Sequence, residues 1–216
     1  IIKGIQGYHL DTQGGDHIAY NLLVDKFGGI WEGREGGVTR LIRGGHTAGF
    51  NTDTVGICLL GNFVTAVPPW AATEATAAIV AWKLGYHGRD VSTNVMYTAG
   101  TGAKRADYPP GTTKSVPALT MHGDLGLTSC PGGHVRSRIP TIRQLAYVRQ
   151  LGLSDVPVTA YYATAVTWLV HHEITTGVGN TGQYQPDTGV SRAQMVTFLW
   201  RMMGSPSGYA AHGFPD

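Results

Sequence analysis

Apolar residues recur along this chain in distinct rhythms that mark its elements. Ile1, Ile2, Ile5 and Tyr8 fall at helical spacing, so a helix is predicted within residues 1–12. Residues 17–25 change to alternation rich in Leu, Val and Tyr. Asp25-Lys26-Phe27-Gly28-Gly29 is turn chemistry, and Ile30-Trp31-Glu32-Gly33-Arg34 returns as a second strand, giving a hairpin. Residues 54–63 form a continuous apolar run, predicted as a strand buried on both faces of a sheet. The alanine-rich run 71–86 reads as a helix with Ala75, Ala78, Ile79 and Trp82 on one face.

The pattern is looser from 87 to 118, with strand-like Val95-Met96-Tyr97 and a Gly/Pro-rich loop at 100–112. Residues 117–122 are predicted as a short strand delivering His122 to a sheet edge. Pro140 is predicted to open a helix over 140–151, with Ile142, Leu145 and Val148 as its apolar stripe. Strands interleaved with helices define an α/β fold, and the character changes near 152–157. Beyond it lie two helical patterns, 160–172 and 192–203, around a Gly/Asn/Pro/Asp loop, with Ser191 and Gln194 at capping-box spacing. The expected organisation is an α/β domain over 1–152 and a small all-α segment over 155–216.

Composition adds limits. The 216 residues hold 42% hydrophobic and only 14% charged residues, with 31 glycines. Charge is low against a typical share of about 25%, which points to a loop-rich, neutral surface. A formal charge of +2 without a Lys/Arg cluster gives no reason to invoke nucleic acid. No hydrophobic run is long enough to span a membrane as a helix. The chain begins at Ile1 and ends at Phe214-Pro215-Asp216, so it is expected to continue at both ends.

Two cysteines are present. Cys58 sits in Val55-Gly56-Ile57-Cys58-Leu59-Leu60, where an inert buried thiol is expected. Cys130 is different. Met121-His122-Gly123-Asp124-Leu125-Gly126-Leu127-Thr128-Ser129-Cys130-Pro131-Gly132 sets an imidazole and a thiol on either side of a short loop. Zinc accepts both donors, and a catalytic zinc site uses three protein ligands with one open position. Spacing alone is weak, because a core histidine and a buried thiol would read the same way. A Cys58–Cys130 disulfide would also remove the thiolate.

An upstream segment changes the weight: Asp16-His17-Ile18-Ala19-Tyr20-Asn21-Leu22-Leu23-Val24-Asp25. Together the two segments resemble the zinc-dependent N-acetylmuramoyl-L-alanine amidases of the peptidoglycan-recognition-protein and phage-lysozyme type. That resemblance implies a mixed central sheet flanked by helices, with His122 and Cys130 as Zn²⁺ ligands and Tyr20 as the catalytic tyrosine. The tyrosine hydroxyl would stabilise the attacking water or the developing oxyanion without carrying charge. Gly123 stands where the family usually has arginine, and Gly14-Gly15-Asp16-His17-Ile18 replaces a Gly-Trp-x-Asp-Ile segment. Thr128 occupies a position where some relatives carry lysine, so its catalytic help is expected to be smaller. Asp124 is expected to orient the loop or a ligand.

Gly44-Gly45-His46-Thr47-Ala48-Gly49-Phe50-Asn51 resembles the family's Gly-x-His-Ala-x-Gly-x-Asn segment. By that likeness His46 lines the cleft and binds the muramyl peptide while Asn51 supports the loop; a locally bonded loop histidine is the alternative. Glu32 and Arg34 recur near the family's cleft wall, with Arg34 a substrate-binding candidate and a structural ion pair the alternative. His9, His87, His134, His171, His172 and His212 carry no motif and read as surface or core residues. The third zinc ligand, a histidine in a His-His-Thr or His-His-Ser segment, is expected upstream of Ile1.

The second segment resembles an S-layer homology repeat, carried by Tyr161-Tyr162-Ala163-Thr164-Ala165-Val166-Thr167-Trp168-Leu169, Ile174-Thr175-Thr176-Gly177, Tyr184-Gln185-Pro186-Asp187 and Val190-Ser191-Arg192-Ala193-Gln194-Met195. Phe214-Pro215-Asp216 looks like the opening of a second repeat. The two resemblances imply a secreted, wall-associated bacterial hydrolase that cleaves the amide between N-acetylmuramic acid and L-alanine, tethered to a secondary cell-wall polymer, with Arg192 contacting an anionic group. The competing expectation is a peptidoglycan-binding protein without catalysis. A purely anchoring protein would explain 155–216 only.

Overall fold

The computed structural model of the chain describes residues 2–12, 17–153, 155–157, 160–179 and 181–208. The Gly14-Gly15-Asp16 part of the upstream motif, His212, the side chain of His171 and the Phe214-Pro215-Asp216 ending therefore lie outside the described residues. The chain divides into two compact units, Ile1–Gln150 and Leu151–Asp216.

The first unit is built around strand β1 (Leu22–Val24), all three residues of which are buried. β2 (Ile30–Glu32) pairs with it antiparallel, Leu23 opposite Trp31, and β3 (Ile57–Leu59) pairs parallel on its other side, Leu23 opposite Cys58. The sheet is thus mixed, in the order β2-β1-β3. The hairpin forms because Asp25 organises its own turn: Oδ1 accepts from Phe27 N at 2.8 Å and Gly29 N at 2.9 Å, and Oδ2 accepts from Trp31 Nε1 at 2.9 Å. Gly28, at φ +87°, supplies the left-handed residue.

Alternation along the strands gives the sheet two faces. Leu22, Val24, Ile57 and Leu59 pack on Ala72 and Ile79 of α2 (Trp70–Tyr86). On the other face, Leu23, Cys58 and Leu60 line a cavity of about 410 Å³. Gly4, Ile5, Tyr8, His9 and Tyr20 complete its walls; Gly4 and Ile5 belong to α1 (Ile2–Gly7), Tyr8 and His9 to the π-helical turn Tyr8–Thr12 that continues it. A second sheet, β4 (Asn94–Thr98) with β5 (Thr113–Pro117), is an antiparallel ribbon. Phe50, Ala99, Tyr108 and Leu125 form a buried cluster beside it, and Leu125 anchors α3 (His122–Leu125).

Four expectations need correction. The run 54–63 yields only the three-residue β3, half-buried rather than covered on both faces. The α2 stripe is rotated: Ala72, Thr73, Thr76, Ala77, Ile79, Val80, Ala81 and Lys83 are buried, whereas Trp82 is 40% exposed. Sheet and α4 (Gly133–Gln150) both pack on α2, so small residues face its neighbours and the Trp82 ring stays outside, 4.5 Å from Lys83 Nζ. His122 does not end a strand. β5 stops at Pro117, and the Asp124 carboxylate accepts from Met121 N at 3.1 Å, turning the chain into α3 with His122 first. Finally, α4 begins seven residues before Pro140, which lies inside it. Pro140 removes only the bond to the Arg136 carbonyl, on the exposed side of the helix where water can meet it. Its predicted stripe of Ile142, Leu145 and Val148 is buried.

In the second unit, α5 (Ala163–His171) and α6 (Arg192–Met202) frame the intervening loop. Ser191 Oγ accepts from Gln194 N at 3.1 Å and Gln194 Oε1 accepts from Ser191 N at 2.8 Å, the reciprocal cap expected from their spacing. Leu153, Val156, Ala163, Val166 and Ile174 are buried, while no residue of α6 is. The Asp155 carboxylate accepts from Tyr184 N at 2.7 Å and Gln185 N at 2.6 Å, holding the loop.

Partial desolvation, the largest single influence, raises the Asp155 carboxyl, but hydrogen bonds from the backbone of Tyr184, Gln185 and Asp155 itself together outweigh it and hold it below its ordinary value. Its stabilising contribution is therefore complete above the unfolded pKa near pH 4 and fades as pH falls through the lowered folded value. Asp155→Asn is expected to lower the thermal midpoint of this unit at neutral pH, with the gap to the parent narrowing on acidification; circular dichroism melts between pH 7 and 3 check this.

Candidate functional site

Tyr20 lies on the bend that leads into β1, and the backbone around it is tied on every side. Ala19 N donates to His9 Nδ1 at 2.9 Å, and Gly45 N donates to Ala19 O at 2.7 Å. Arg34 N donates to Tyr20 O at 2.8 Å and Gly33 N to Asn21 O at 2.9 Å. Gly33 is required here, since a Cβ would collide with the Tyr20 carbonyl. The Asn21 side chain donates to Ile42 O at 2.7 Å and accepts from Gly56 N at 2.9 Å, joining the 40s loop to the start of β3.

His46 stacks on Tyr20, with ring centroids 6.0 Å apart and planes 22° from parallel. Its Nε2 lies 3.4 Å from Thr54 Oγ1 and its Nδ1 3.2 Å from Thr47 Oγ1. The Thr54 hydroxyl donates its proton to Phe50 O at 2.6 Å, so it can only accept from His46. This fixes His46 as the Nε2–H tautomer, with Nδ1 accepting from Thr47. Asn51 Oδ1 accepts from Thr47 N at 2.8 Å and braces the loop. A Cβ at Gly56 would strike the His46 ring, so glycine there admits the imidazole.

His122 and Cys130 are drawn together by a backbone neck in which Gly123 N donates to Cys130 O at 2.9 Å. A side chain at position 123 would place its Cβ 2.7 Å from Cys130 O and 2.9 Å from Thr128 O, which accounts for glycine at this position. The Thr128 hydroxyl oxygen accepts from Cys130 N at 3.1 Å. Asp124, having capped α3, pairs through Oδ1 with Arg136 Nη1 at 3.0 Å. Arg105 Nη1 approaches Gly123 O at 3.4 Å from the other side.

The electrostatics of these groups are shared. Burial, then the His122 charge, drives His46 down to about 4, and burial lowers His122. Burial raises the Cys130 thiol, partly opposed by the Tyr20 hydroxyl within hydrogen-bonding reach of its sulfur. Burial and then Cys130 push Cys58 up to about 11, and burial, followed by the two thiols, raises Tyr20 strongly. At neutral pH the site is a set of uncharged imidazoles, thiols and a phenol. Both cysteines are free thiols, so no disulfide removes the Cys130 sulfur.

His122 Nδ1 is buried and meets no hydrogen-bond partner among the described residues. An orphaned imidazole nitrogen on a segment whose backbone is bonded to that of a cysteine fits a soft divalent cation, which would complete the nitrogen and draw the thiol to thiolate. No cluster of three or more His, Cys, Asp or Glu gathers among the described residues.

The structure thus brings Tyr20, His46, His122 and Cys130 together, with Asn51 behind His46. The Arg34 guanidinium lies beside Gly45, about 4.0 Å from where its Cβ would stand. The Glu32 carboxylate accepts from Gly37 N at 2.7 Å. Thr128 is exposed and turned to its own loop, and Arg192 is the exposed first residue of α6, in the other unit. His17 pairs with Glu35 at 3.5 Å, a surface contact. Sequence reasoning missed His9, Asn21, Thr54 and Arg136. Only Asn21 had a signal, its place directly after Tyr20.

The first unit has an amidase-type α/β fold. The chain belongs to the N-acetylmuramoyl-L-alanine amidase family, which matches residues 5–133, and residues 153–196 match the S-layer homology domain. Human peptidoglycan recognition protein 3 is 39% identical over 80 residues, 37% of this chain and 22% of that protein. Peptidoglycan-recognition protein SC2 of Drosophila simulans is 29% identical over 65% of this chain and 61% of its own length. Human N-acetylmuramoyl-L-alanine amidase is 33% identical over 61% of this chain and 18% of its length, so the chain spans less than two thirds of each of these relatives. Among solved structures, human PGRP-IBETAC in complex with glycosamyl muramyl pentapeptide matches at 25% identity and a TM-score of 0.46, over 65% of this chain and 68% of that one.

Gly123→Arg is expected to force the neck apart, because the colliding atoms are backbone carbonyls that cannot swing aside. Overpacking of this kind destabilises by about 1–3 kcal/mol. Urea unfolding of the variant beside Gly123→Ser, which adds the same Cβ and little more, measures it; parental stability in both would contradict the close approach.

Proposed function

We propose that this protein is a peptidoglycan amidase that hydrolyses the bond between N-acetylmuramic acid and L-alanine of the stem peptide, held at the cell wall by its S-layer homology segment. The observation that carries this reading is the buried, unpartnered Nδ1 of His122, next in sequence to the Gly123 amide that donates to Cys130 O, together with the stacking of Tyr20 on His46. His122 and Cys130 would hold Zn²⁺ with a third protein ligand from outside the described residues. When bound, zinc supplies a Lewis acid for the amide carbonyl and lowers the pKa of water.

The remaining roles belong to the chain. The Tyr20 phenol, kept protonated by burial, donates a hydrogen bond to the oxyanion that develops as the carbonyl becomes tetrahedral. His46, neutral and fixed as one tautomer, stacks on Tyr20 and walls the cleft against water, and Asn51 keeps its loop in register. Arg34 is placed to meet a carboxylate of the muramyl peptide. Thr128 acts through Cys130, whose amide it receives, rather than on substrate. In the second unit, Arg192 contacts an anionic group of a secondary wall polymer, and the tether raises the local concentration of substrate. A secreted, wall-associated location follows from that substrate. No helix among the described residues is long and apolar enough to cross a membrane.

A second reading, recognition of muramyl peptides without cleavage, draws support from one fact: no cluster of three or more His, Cys, Asp or Glu gathers among the described residues. Activity separates the two. The full-length protein is expected to release stem peptides from purified peptidoglycan, to lose that activity to a chelator and recover it with added zinc, and to be abolished by Cys130→Ala. Tyr20→Phe should lower kcat by about 10²- to 10³-fold with KM little changed. Binding without peptide release supports the recognition reading, and release that survives both chelator and Cys130→Ala excludes zinc.

A further inference from the structure

His9 carries no motif, yet it holds the peptide on which Tyr20 turns. Its Nδ1 accepts from Ala19 N at 2.9 Å, a contact across ten residues of chain that links the π-helical turn Tyr8–Thr12 to the bend before β1. The carbonyl of the same residue, Ala19, accepts from Gly45 N at 2.7 Å, immediately before His46. Ala19 is therefore a node: one side is set by His9, the other sets the His46 loop, and the next residue is Tyr20. His9, Tyr20 and Cys58 also line one cavity of about 410 Å³. Single π-helical turns are enriched at functional sites, because the extra residue re-aims a side chain that a regular helix would direct elsewhere. His9 is the second residue of such a turn.

We infer that His9 is a positioning residue for Tyr20 and, through the Ala19 peptide, for His46, acting as an Nε2–H tautomer whose Nδ1 accepts from Ala19 N. This rests on the amidase reading for its kinetic consequence but not for its geometry. A displaced phenol would weaken a hydrogen bond that the proposed mechanism needs only in the transition state, so the loss should fall on turnover rather than on substrate binding.

The test is a variant series in the full-length, zinc-supplemented protein. His9→Ala is expected to lower kcat about 10- to 100-fold with KM and zinc content close to the parent, as a misplacement near one ångström would. His9→Asn, whose side-chain oxygen can take the place of Nδ1, should recover kcat to within about threefold. Parental kcat in His9→Ala overturns the inference. Equal impairment of both variants with equally lowered melting temperatures also overturns it, since His9 would then serve packing alone. Should His9→Ala fail to fold, imidazole ¹⁵N shifts in the parent decide the matter: a proton on Nε2 and an acceptor at Nδ1 are expected, and a proton on Nδ1 refutes the contact. A parent with no turnover sinks the amidase reading, while the ¹⁵N measurement still judges His9.

Discussion

The segment Ala19-Tyr20-Asn21 is held by hydrogen bonds to four separate stretches of chain, and the candidate site depends on that restraint. His9 and Gly45 take the Ala19 peptide, Arg34 and Gly33 take the next two carbonyls, and Asn21 spans Ile42 and Gly56. Each such bond contributes only about 1 kcal/mol net, because water is lost on both sides. Their value lies in direction. On the proposed function, a phenol on a bend whose backbone is anchored this way suits a group that would meet charge only as it develops. The glycines serve the same end: at 33, 56 and 123 a Cβ would occupy space taken by the Tyr20 carbonyl, the His46 ring and the Cys130 carbonyl.

Burial sets the chemical state of what is held. His46 and His122 are pushed towards neutral imidazole, and Cys58, Cys130 and Tyr20 towards their protonated forms. On the proposed function, groups that burial keeps uncharged would accept charge by giving electron pairs from nitrogen and sulfur to a bound cation. The orphaned Nδ1 of His122 and the raised thiol of Cys130 are two expressions of that one condition. Asp124 and Arg136 neutralise one another beside the neck, so they fix the loop without adding net charge to the pocket.

Local chemistry was legible in the sequence; rotation and approach were not. Turn residues placed the β1–β2 hairpin, alanine content placed α2, and Ser191 with Gln194 placed the start of α6, because each signal lies within a few residues of its effect. The buried face of α2 was misread because two neighbours share it, and periodicity counts apolar residues without knowing that alanine and threonine suit a crowded contact better than tryptophan. Pro140 marked no helix start because the preceding residues already had a helix to join. At the site, motifs nominated Tyr20, His46, His122 and Cys130. The means of assembly stayed hidden, since His9 reaches ten residues and Asn21 thirty-five to their partners, and no spacing rule encodes such contacts.

The two units stand on different physical footings, which bears on how a tethered hydrolase would work. The first buries strands and helices around β1 and so can keep a rigid pocket. The second rests on a few buried residues, a capping box and the Asp155 carboxylate, while α6 buries none of its side chains. A repeat of this kind gains its core by packing against like neighbours, so its stability is tied to assembly. On the proposed function the division is apt: an anchoring segment can draw stability from the polymer it binds, whereas a hydrolytic unit would have to hold its geometry by its own packing.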